Sequence, residues 1–234
     1  MSPAALKPAE RIIVALDYST AEEALALVDK LAGRVGMFKV GSQLFTAAGP
    51  AFVRELAARG EKVFLDLKFH DIPNTVAGAV SSACRLGVAL LDVHALGGRA
   101  MMEAAAAALP AMGARMLGVT ILTSMDEKAH GEIGLGGQVS ESVRRLAVLA
   151  KESGLDGIVA SPHEVALVRE CCGPDFLIVT PGIRPAGSSA GDQARAATPR
   201  AAREAGADLL VIGRPITEAA DPQKAVDKLA AELG

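Results

Sequence analysis

The sequence is poor in aromatic residues, cysteine and net charge. Aromatic residues make up 3% of the 234 residues and tryptophan is absent, so a surface that stacks nucleic-acid bases is not expected. The formal net charge of −3 gives no overall attraction to nucleic acid, although it does not exclude a local basic site for a small anion. Half of the residues are hydrophobic, which argues against wholesale disorder and is enough for the core of one large domain.

Long hydrophobic runs are also lacking. The longest candidate, around residues 88–91, ends at Asp92, far short of the roughly 18 residues that a membrane span needs. Residues 1–11 contain two prolines and no apolar stretch typical of a secretory signal, so we interpret them as a loosely ordered leader. An odd number of cysteines, two of them adjacent, argues against a disulfide framework and favours the reducing cytoplasm; they are Cys84, Cys171 and Cys172.

The most regular pattern is an alternation of short β-branched runs with alanine-rich helical segments. The runs lie at residues 12–17, 37–41, 63–68, 90–94, 116–122, 157–161, 176–181 and 209–213. Strands this apolar are buried on both faces, as in a parallel sheet covered by helices. Eight strand–helix units in a chain of this length predict an α/β fold, a single-domain (β/α)8 TIM barrel over residues 12–234. An open doubly wound sheet is the alternative.

Local signals mark where helices begin and where loops are long. Four polar residues have the pattern of helix N-caps: Thr20, Ser161, Thr198 and Asp221. Thr20 and Ser161 are followed three residues later by glutamate, and the last three are followed directly by proline. Two glycine-rich loops follow the fifth and seventh strands, at residues 125–137 and 184–193. Loops at this end of a barrel commonly act as lids, so we expect the second one to be mobile.

Charged side chains stand at or just after the ends of the first three predicted strands, at Asp17, Lys39, Asp66, Lys68 and Asp71. The two-residue period of a strand places Asp66 and Lys68 on one face. Catalytic groups of a TIM barrel lie at these strand ends, and buried charges persist only when paired, so an alternating acid–base network is expected. Neighbouring carboxylates favour the charged form of Lys68, which suggests a proton donor. Salt bridges that only seal the barrel mouth are the alternative.

The last two strands carry the pattern of an anion site. Strand eight ends in Gly213 and Arg214, and strand seven leads to Arg184 in a loop that reaches Gln193. A guanidinium can grip two phosphate oxygens, and the loops after strands seven and eight are the usual phosphate site of this fold. Arginines that pair with surface acids are the alternative.

Other motifs are weak. The glycines at residues 134–137 approach a nucleotide-binding glycine motif but follow no strand, so we interpret them as part of a loop. His163-Glu164 lacks the second histidine of a zinc motif and fits the first turn of a helix better. His94 ends strand four, where it could contact a ligand or be a core histidine. Because no cluster of histidines and carboxylates has metal-ligand spacing, we infer no metal requirement.

Residues 66–75, Asp-Leu-Lys-Phe-His-Asp-Ile-Pro-Asn-Thr, together with Pro-Gly-Ile-Arg-Pro at 181–185 and Ile-Gly-Arg-Pro-Ile at 212–216, resemble the orotidine 5'-phosphate decarboxylase family. The resemblance extends over nearly the whole chain. It implies a cofactor-free decarboxylation of orotidine 5'-monophosphate to UMP and CO2, the last step of pyrimidine nucleotide synthesis.

The resemblance also implies a role for each matching residue. Lys68 would protonate the ring carbon that loses CO2, Asp66 would lie beside the substrate carboxylate, and Asp71 would come from the partner subunit of a homodimer. Asp17, Lys39 and the partner's Thr75 would contact the ribose, and Thr123 would contact the pyrimidine. The phosphate would be bound by Arg184, Gln193, Gly213 and Arg214.

Two other functions remain open at this point. A related barrel decarboxylase that acts on a sugar-acid phosphate through an enediolate can share the Asp-x-Lys-x-x-Asp pattern of residues 66–71, but it would need a divalent metal. A non-catalytic phosphate sensor would not need three further charges at the strand ends. The partners expected are the small-molecule substrate and a second subunit, with no nucleic acid and no membrane.

Overall fold

Eight parallel strands close into a barrel in the order in which they occur along the chain. The computed structural model describes residues 6–111, 113–185 and 197–234. Each strand begins within one residue of a predicted run, which confirms the TIM barrel and excludes the open sheet. The strands are β1 Ile12–Ala15, β2 Met37–Gly41, β3 Val63–Phe69, β4 Leu90–His94, β5 Arg115–Val119, β6 Gly157–Val159, β7 Leu177–Thr180 and β8 Leu209–Ile212.

Helices connect the strands and cover the outside of the barrel. They are α1 Ala21–Leu31, α2 Ser42–Ala58, α3 Pro73–Cys84, α4 Gly98–Ala107, α5 Glu127–Glu132, α6 Val139–Glu152, α7 Val165–Cys172, α8 Pro199–Glu204, α9 Arg214–Thr217 and α10 Pro222–Leu233. Gly49, with a φ of 67°, and Pro50 put a kink into α2. Within the described ranges, none of the helices combines the length and the apolarity that crossing a membrane requires.

The predicted caps begin the helices as expected. Thr20 accepts the backbone N–H of Glu23, Thr198 that of Ala201, and Asp221 that of Lys224. Ser161 donates its backbone N–H to the Glu164 carboxylate, which assigns that glutamate to the first turn of a helix. The loop predicted at 125–137 contains one short helix, α5, because Asp126 caps it by accepting the N–H of Ala129.

Two hydrophobic cores follow from the alternation of side chains along the strands. Outward-facing residues such as Ile12, Val14 and Leu65 pack against the helices in the larger core. The inward-facing residues fill the barrel from its amino end; they are Ile13, Ala15, Phe64, Leu90, Leu117, Leu177, Val179, Leu209 and Val211. This inner core forms the floor of any site at the carboxyl ends of the strands.

The described part of the leader, residues 6–11, is folded against the amino end of the barrel. Pro8–Arg11 form a 3-10 helix, and the Arg11 guanidinium donates to the carbonyl of Asp208 at 3.0 Å. Of the loop predicted to act as a lid at 184–193, only Arg184 and Pro185 lie within the described residues.

Candidate active site

The alternation that fills the barrel also carries charged residues to its carboxyl mouth. In β1 the inward positions Ile13 and Ala15 lead to Asp17, and in β3 the inward Phe64 leads to Asp66. Hydrophobic side chains therefore occupy the lower layers of the barrel interior and ionisable ones the uppermost layer. Such a layer is poorly hydrated, so its charges must compensate one another.

Lys39 stands at the centre of this layer and joins two carboxylates. Its Nζ lies 3.3 Å from Asp17 Oδ1 and 3.3 Å from Asp66 Oδ2. Burial lowers the pKa of Lys39, but the charges of Asp66 and Asp17 outweigh that effect and leave the pKa raised. The Lys39 side chain is only 11% exposed, whereas that of Asp17 is 58% exposed and available to a ligand.

Asp66 is shared by two lysines. Its Oδ1 accepts from Lys68 Nζ, while its Oδ2 faces Lys39. Burial alone would raise the pKa of Asp66, but the charges of Lys39 and Lys68 prevail and lower it to about 2. The site thus holds a fixed carboxylate between two ammonium groups, with the Lys68 ammonium the more exposed of the two.

Lys68 reaches Asp66 through an irregular backbone. Its φ of 49° makes it the sole non-glycine with positive φ in the described part of the chain. The pairing of β3 with β4 shifts register between Leu65 and Phe69, so the regular alternation that predicted this placement is interrupted by a bulge. A left-handed backbone costs a non-glycine residue about 1–2 kcal/mol. The Asp92 Oδ1 atom offsets part of that cost by accepting the Lys68 backbone N–H at 2.8 Å.

The opposite side of the mouth carries positive charge. Arg184 follows β7 and Arg214 follows β8, and burial together with the charge of Arg214 lowers the pKa of Arg184. Between them lies Gly213, where an added Cβ would come no closer than 3.6 Å to another atom, the Cβ of Ala15. An added Cβ at Gly213 would therefore make no close contact within the protein, and the backbone here leaves room for a ligand to approach.

One cavity of about 280 Å³ connects the two sides. Eight of the eleven predicted site residues line it: Asp17, Lys39, Asp66, Lys68, Thr123, Arg184, Gly213 and Arg214. Gln193 lies outside the described residues. The cavity thus holds an acid–base network and two guanidinium groups, as a site for a phosphorylated small molecule requires.

A family profile described as "Orotidine 5'-phosphate decarboxylase / HUMPS family" matches residues 10–229. The chain belongs to this family. An orotidine 5'-phosphate decarboxylase from Moorella thermoacetica is 55% identical over 232 residues, covering 96% of this chain and 92% of the relative. One from Halorhodospira halophila is 56% identical over 225 residues, covering 95% of each. The crystal structure of the Lactobacillus acidophilus orotidine 5'-phosphate decarboxylase superposes with a TM-score of 0.85 at 41% identity, covering 95% and 98%.

Two residues of the decarboxylase motif do not line the cavity of their own chain. Asp71 and Thr75 are exposed, and the Asp71 carboxylate accepts the backbone N–H of Ile72 at 2.6 Å. Of the five charged residues expected to converge at the barrel mouth, four do so within one chain, and Asp71 does not. A different acid, the fully buried Asp92, lies next to the four.

His94 stacks on His70 beside this network. Their ring centroids lie 5.3 Å apart, and neither ring lines the cavity. Burial, followed by the charges of His70 and Lys68, lowers the pKa of His94, which favours the neutral imidazole. Among the residues that the structure describes, no three His, Cys, Asp or Glu side chains are grouped so that they could hold a metal ion.

Sequence reasoning missed Asp92 and Gly41. The signal that would have found the buried acid is its position two residues after the inward-facing Leu90, which places Asp92 on the inner face of β4. Gly41 ends β2, where an added Cβ would lie 2.9 Å from Lys39 Nζ. Its importance is visible only once the Lys39 side chain has been placed.

Proposed function

We propose that this protein decarboxylates orotidine 5'-monophosphate to UMP and CO2, with Lys68 as the proton donor. The proposal is carried by one observation: the Asp66–Lys68 pair and the two arginines, Arg184 and Arg214, line the same cavity. The Asp66–Lys68 pair can act on the pyrimidine ring of the substrate, and the two guanidinium groups can bind its phosphate. Family membership and the named relatives support the same reaction.

The reaction breaks the bond between the ring carbon and the carboxylate, and its electron pair stays on the carbon as CO2 leaves. Lys68 Nζ stabilises this developing negative charge and then supplies the proton that makes UMP. Solvent returns a proton to the amine. Asp66 would lie next to the substrate carboxylate, and its fixed charge also holds the ammonium in place before the substrate arrives.

The substrate would be held at its other groups by residues around the cavity. Asp17 and Lys39 would bind the ribose hydroxyls, and Thr123 would contact the pyrimidine. Arg184, Gln193, Gly213 and Arg214 would hold the phosphate, far from the bond that breaks. Binding energy gained there orients the ring and excludes water, so it should raise turnover as well as affinity.

We further propose a homodimer in which each subunit supplies Asp71 and Thr75 to its partner's site. Both residues are exposed in the single chain, together with Ile72, whose side chain is 68% exposed. Exposed Asp71, Ile72 and Thr75 are therefore free to contact a second subunit. The three cysteines are free thiols, which agrees with a cytoplasmic location.

The first experiment follows the ultraviolet absorbance of orotidine 5'-monophosphate with purified protein, with and without excess EDTA. We expect loss of the substrate absorbance and formation of UMP at the same rate in both samples. Turnover abolished by EDTA would instead favour the metal-dependent sugar-acid phosphate decarboxylase. UMP binding without turnover would favour the phosphate sensor.

The shared site is tested by mixing two inactive variants, Asp71→Asn and Lys68→Ala, under conditions that exchange subunits. A mixed dimer contains one site with both substitutions and one with neither, so about a quarter to a half of the wild-type activity should return, depending on exchange. Each variant incubated alone under the same conditions is the control. Self-contained sites would show no recovery.

A further inference from the structure

Asp92 is a fully buried acid, and its bond to the Lys68 backbone accounts for only one of its two carboxyl oxygens. It lies on β4 between the inward-facing Leu90 and His94, directly under the charged layer of the barrel mouth. Its Oδ1 accepts the Lys68 backbone N–H at 2.8 Å. Its Oδ2 is buried without a hydrogen-bond donor among the described residues. A carboxylate oxygen in that position would be left unsatisfied, which native proteins avoid.

A proton on Asp92 removes this difficulty. The Asp92 carboxyl lies within hydrogen-bonding reach of the Asp66 carboxylate, and two acceptors can share such a contact only when one of them carries hydrogen. Asp66 already accepts from Lys68 and faces Lys39, so it is the ionised member. Burial, and after it the charge of Asp66, raise the pKa of Asp92 well above its usual range.

We propose that Asp92 is a positioning residue whose neutral carboxyl accepts the Lys68 backbone N–H with one oxygen and donates to Asp66 with the other. A single side chain then fixes both members of the reacting pair. It holds the left-handed backbone of Lys68 and the orientation of the Asp66 carboxylate at the same time. The inference rests on the proposed roles of Lys68 and Asp66.

Neutrality also limits the negative charge of the layer. Within one chain, the ammonium groups of Lys39 and Lys68 face the carboxylates of Asp17 and Asp66, and Asp71 of the partner subunit would add a further carboxylate in the proposed dimer. An ionised Asp92 would add one more negative charge with no cation of its own. It would also draw the Lys68 ammonium toward the barrel floor and away from a substrate.

Asparagine is the decisive replacement because it keeps the shape of a protonated aspartate, with one accepting oxygen and one donating group. We expect Asp92→Asn to keep kcat within about threefold of wild type. Asp92→Ala and Asp92→Leu remove both bonds and should lower kcat by about 10- to 100-fold, as misplacing a catalytic group by about 1 Å does. Because the phosphate contacts are untouched, KM should change by less than about threefold in every variant.

The matched control is Asp156→Ala. Asp156 accepts the backbone N–H of Met116 at 2.8 Å, which is the same kind of bond at the amino end of the barrel. This variant should lose thermal stability without a change in kcat. Equal loss of kcat in Asp92→Asn and Asp92→Ala, or full kcat in Asp92→Ala, would overturn the proposal.

Infrared difference spectra between wild type and Asp92→Asn at neutral pH test the proton directly. We expect the carbonyl stretch of a carboxylic acid in wild type and its loss in the variant, and the absence of that band would overturn the proposal even if Asp92→Ala and Asp92→Leu did not fold. The band does not depend on turnover. Failure of the Lys68 assignment would appear as an active Lys68→Ala enzyme and is therefore distinguishable.

Discussion

The two ends of the barrel bury charge in different ways. At the amino end, the Arg169 guanidinium donates to the carbonyls of Gly173, Pro174, Phe176 and Gly206 and to the Asp208 carboxylate at 2.8 Å. Asp208 in turn accepts the backbone N–H of Ile178 at 2.8 Å. At the carboxyl end, two lysines share the carboxylates of Asp17 and Asp66, and Lys68 has a left-handed backbone.

The difference separates groups that stabilise the fold from groups that are available for chemistry. Arg169 at the amino end uses its donors on the chain itself, so it has little to offer a ligand. Lys68 at the carboxyl end is held by Asp66 but remains 38% exposed in a cavity. This agrees with the general division of a TIM barrel into a stabilising face and a catalytic face.

The largest effect is expected from Lys68→Ala at the carboxyl end. Removing a positioned acid should lower kcat by about 10²- to 10⁴-fold, because Lys39, the other lysine that lines the described part of the cavity, is held between Asp17 and Asp66. Steady-state kinetics with orotidine 5'-monophosphate measure it. Lys228→Ala, on the exposed face of α10, is the control and should retain full activity. Near-normal turnover in Lys68→Ala would remove Lys68 from its proposed role.

Arg214→Ala should weaken nucleotide binding by roughly 2–4 kcal/mol, the usual loss for a charge-assisted anchor. Calorimetric titration with UMP measures the change in Kd. Uridine, which lacks the phosphate, serves as the matched ligand and should bind wild type and variant equally. If UMP and uridine were affected alike, Arg214 would not be a phosphate contact.

At the amino end, Asp208→Ala should lower the free energy of unfolding by about 1–3 kcal/mol, because the variant removes the carboxylate partner of Arg169 and leaves the Ile178 N–H without its acceptor. Urea denaturation measures the loss. The kcat at a temperature where the variant is folded should equal that of wild type. A fall in kcat would show that the two ends are not independent.

The smallest effect is expected from Gly41→Ala. The added Cβ would lie 2.9 Å from Lys39 Nζ, and the long lysine side chain can move away at little cost in stability. The ion pairs of Lys39 with Asp17 and Asp66 would lengthen. We therefore expect KM to rise by a few fold, which corresponds to a loss of about 1 kcal/mol or less in binding free energy. Gly131→Ala, where an added Cβ meets nothing within 4 Å, is the control. An unchanged KM would mean that Lys39 does not position the substrate.

The barrel and most of its site were predictable because they depend on local pattern. The period of two that marks Ile13 and Ala15 as inward-facing also places Asp17 at the mouth, and polar caps such as Thr20 fix where helices begin. The same parity predicted that Asp66 and Lys68 share a face. Charges at strand ends in an apolar chain are rare enough to be read directly as a site.

Features that depend on contacts between distant residues could not be predicted. The left-handed backbone of Lys68 is stabilised by Asp92 from the next strand, and no local pattern in residues 63–69 announces a bulge. The space that Gly41 leaves matters only because Lys39 occupies it. The position of Asp71 outside its own cavity likewise depends on the turn that follows β3, where its carboxylate accepts the Ile72 N–H.

The barrel closes by pairing the first strand of the chain with the last. Ile13 lies opposite Val211, and the next inward pair up the barrel brings Ala15 and Asp17 beside Gly213. A nascent chain that has completed seven strands therefore has neither a closed sheet nor the Gly213–Arg214 segment of its anion site. Contacts so distant in sequence carry a large loop-closure cost and are associated with slower folding. The cavity at the barrel mouth is therefore completed only by the last strand of the chain.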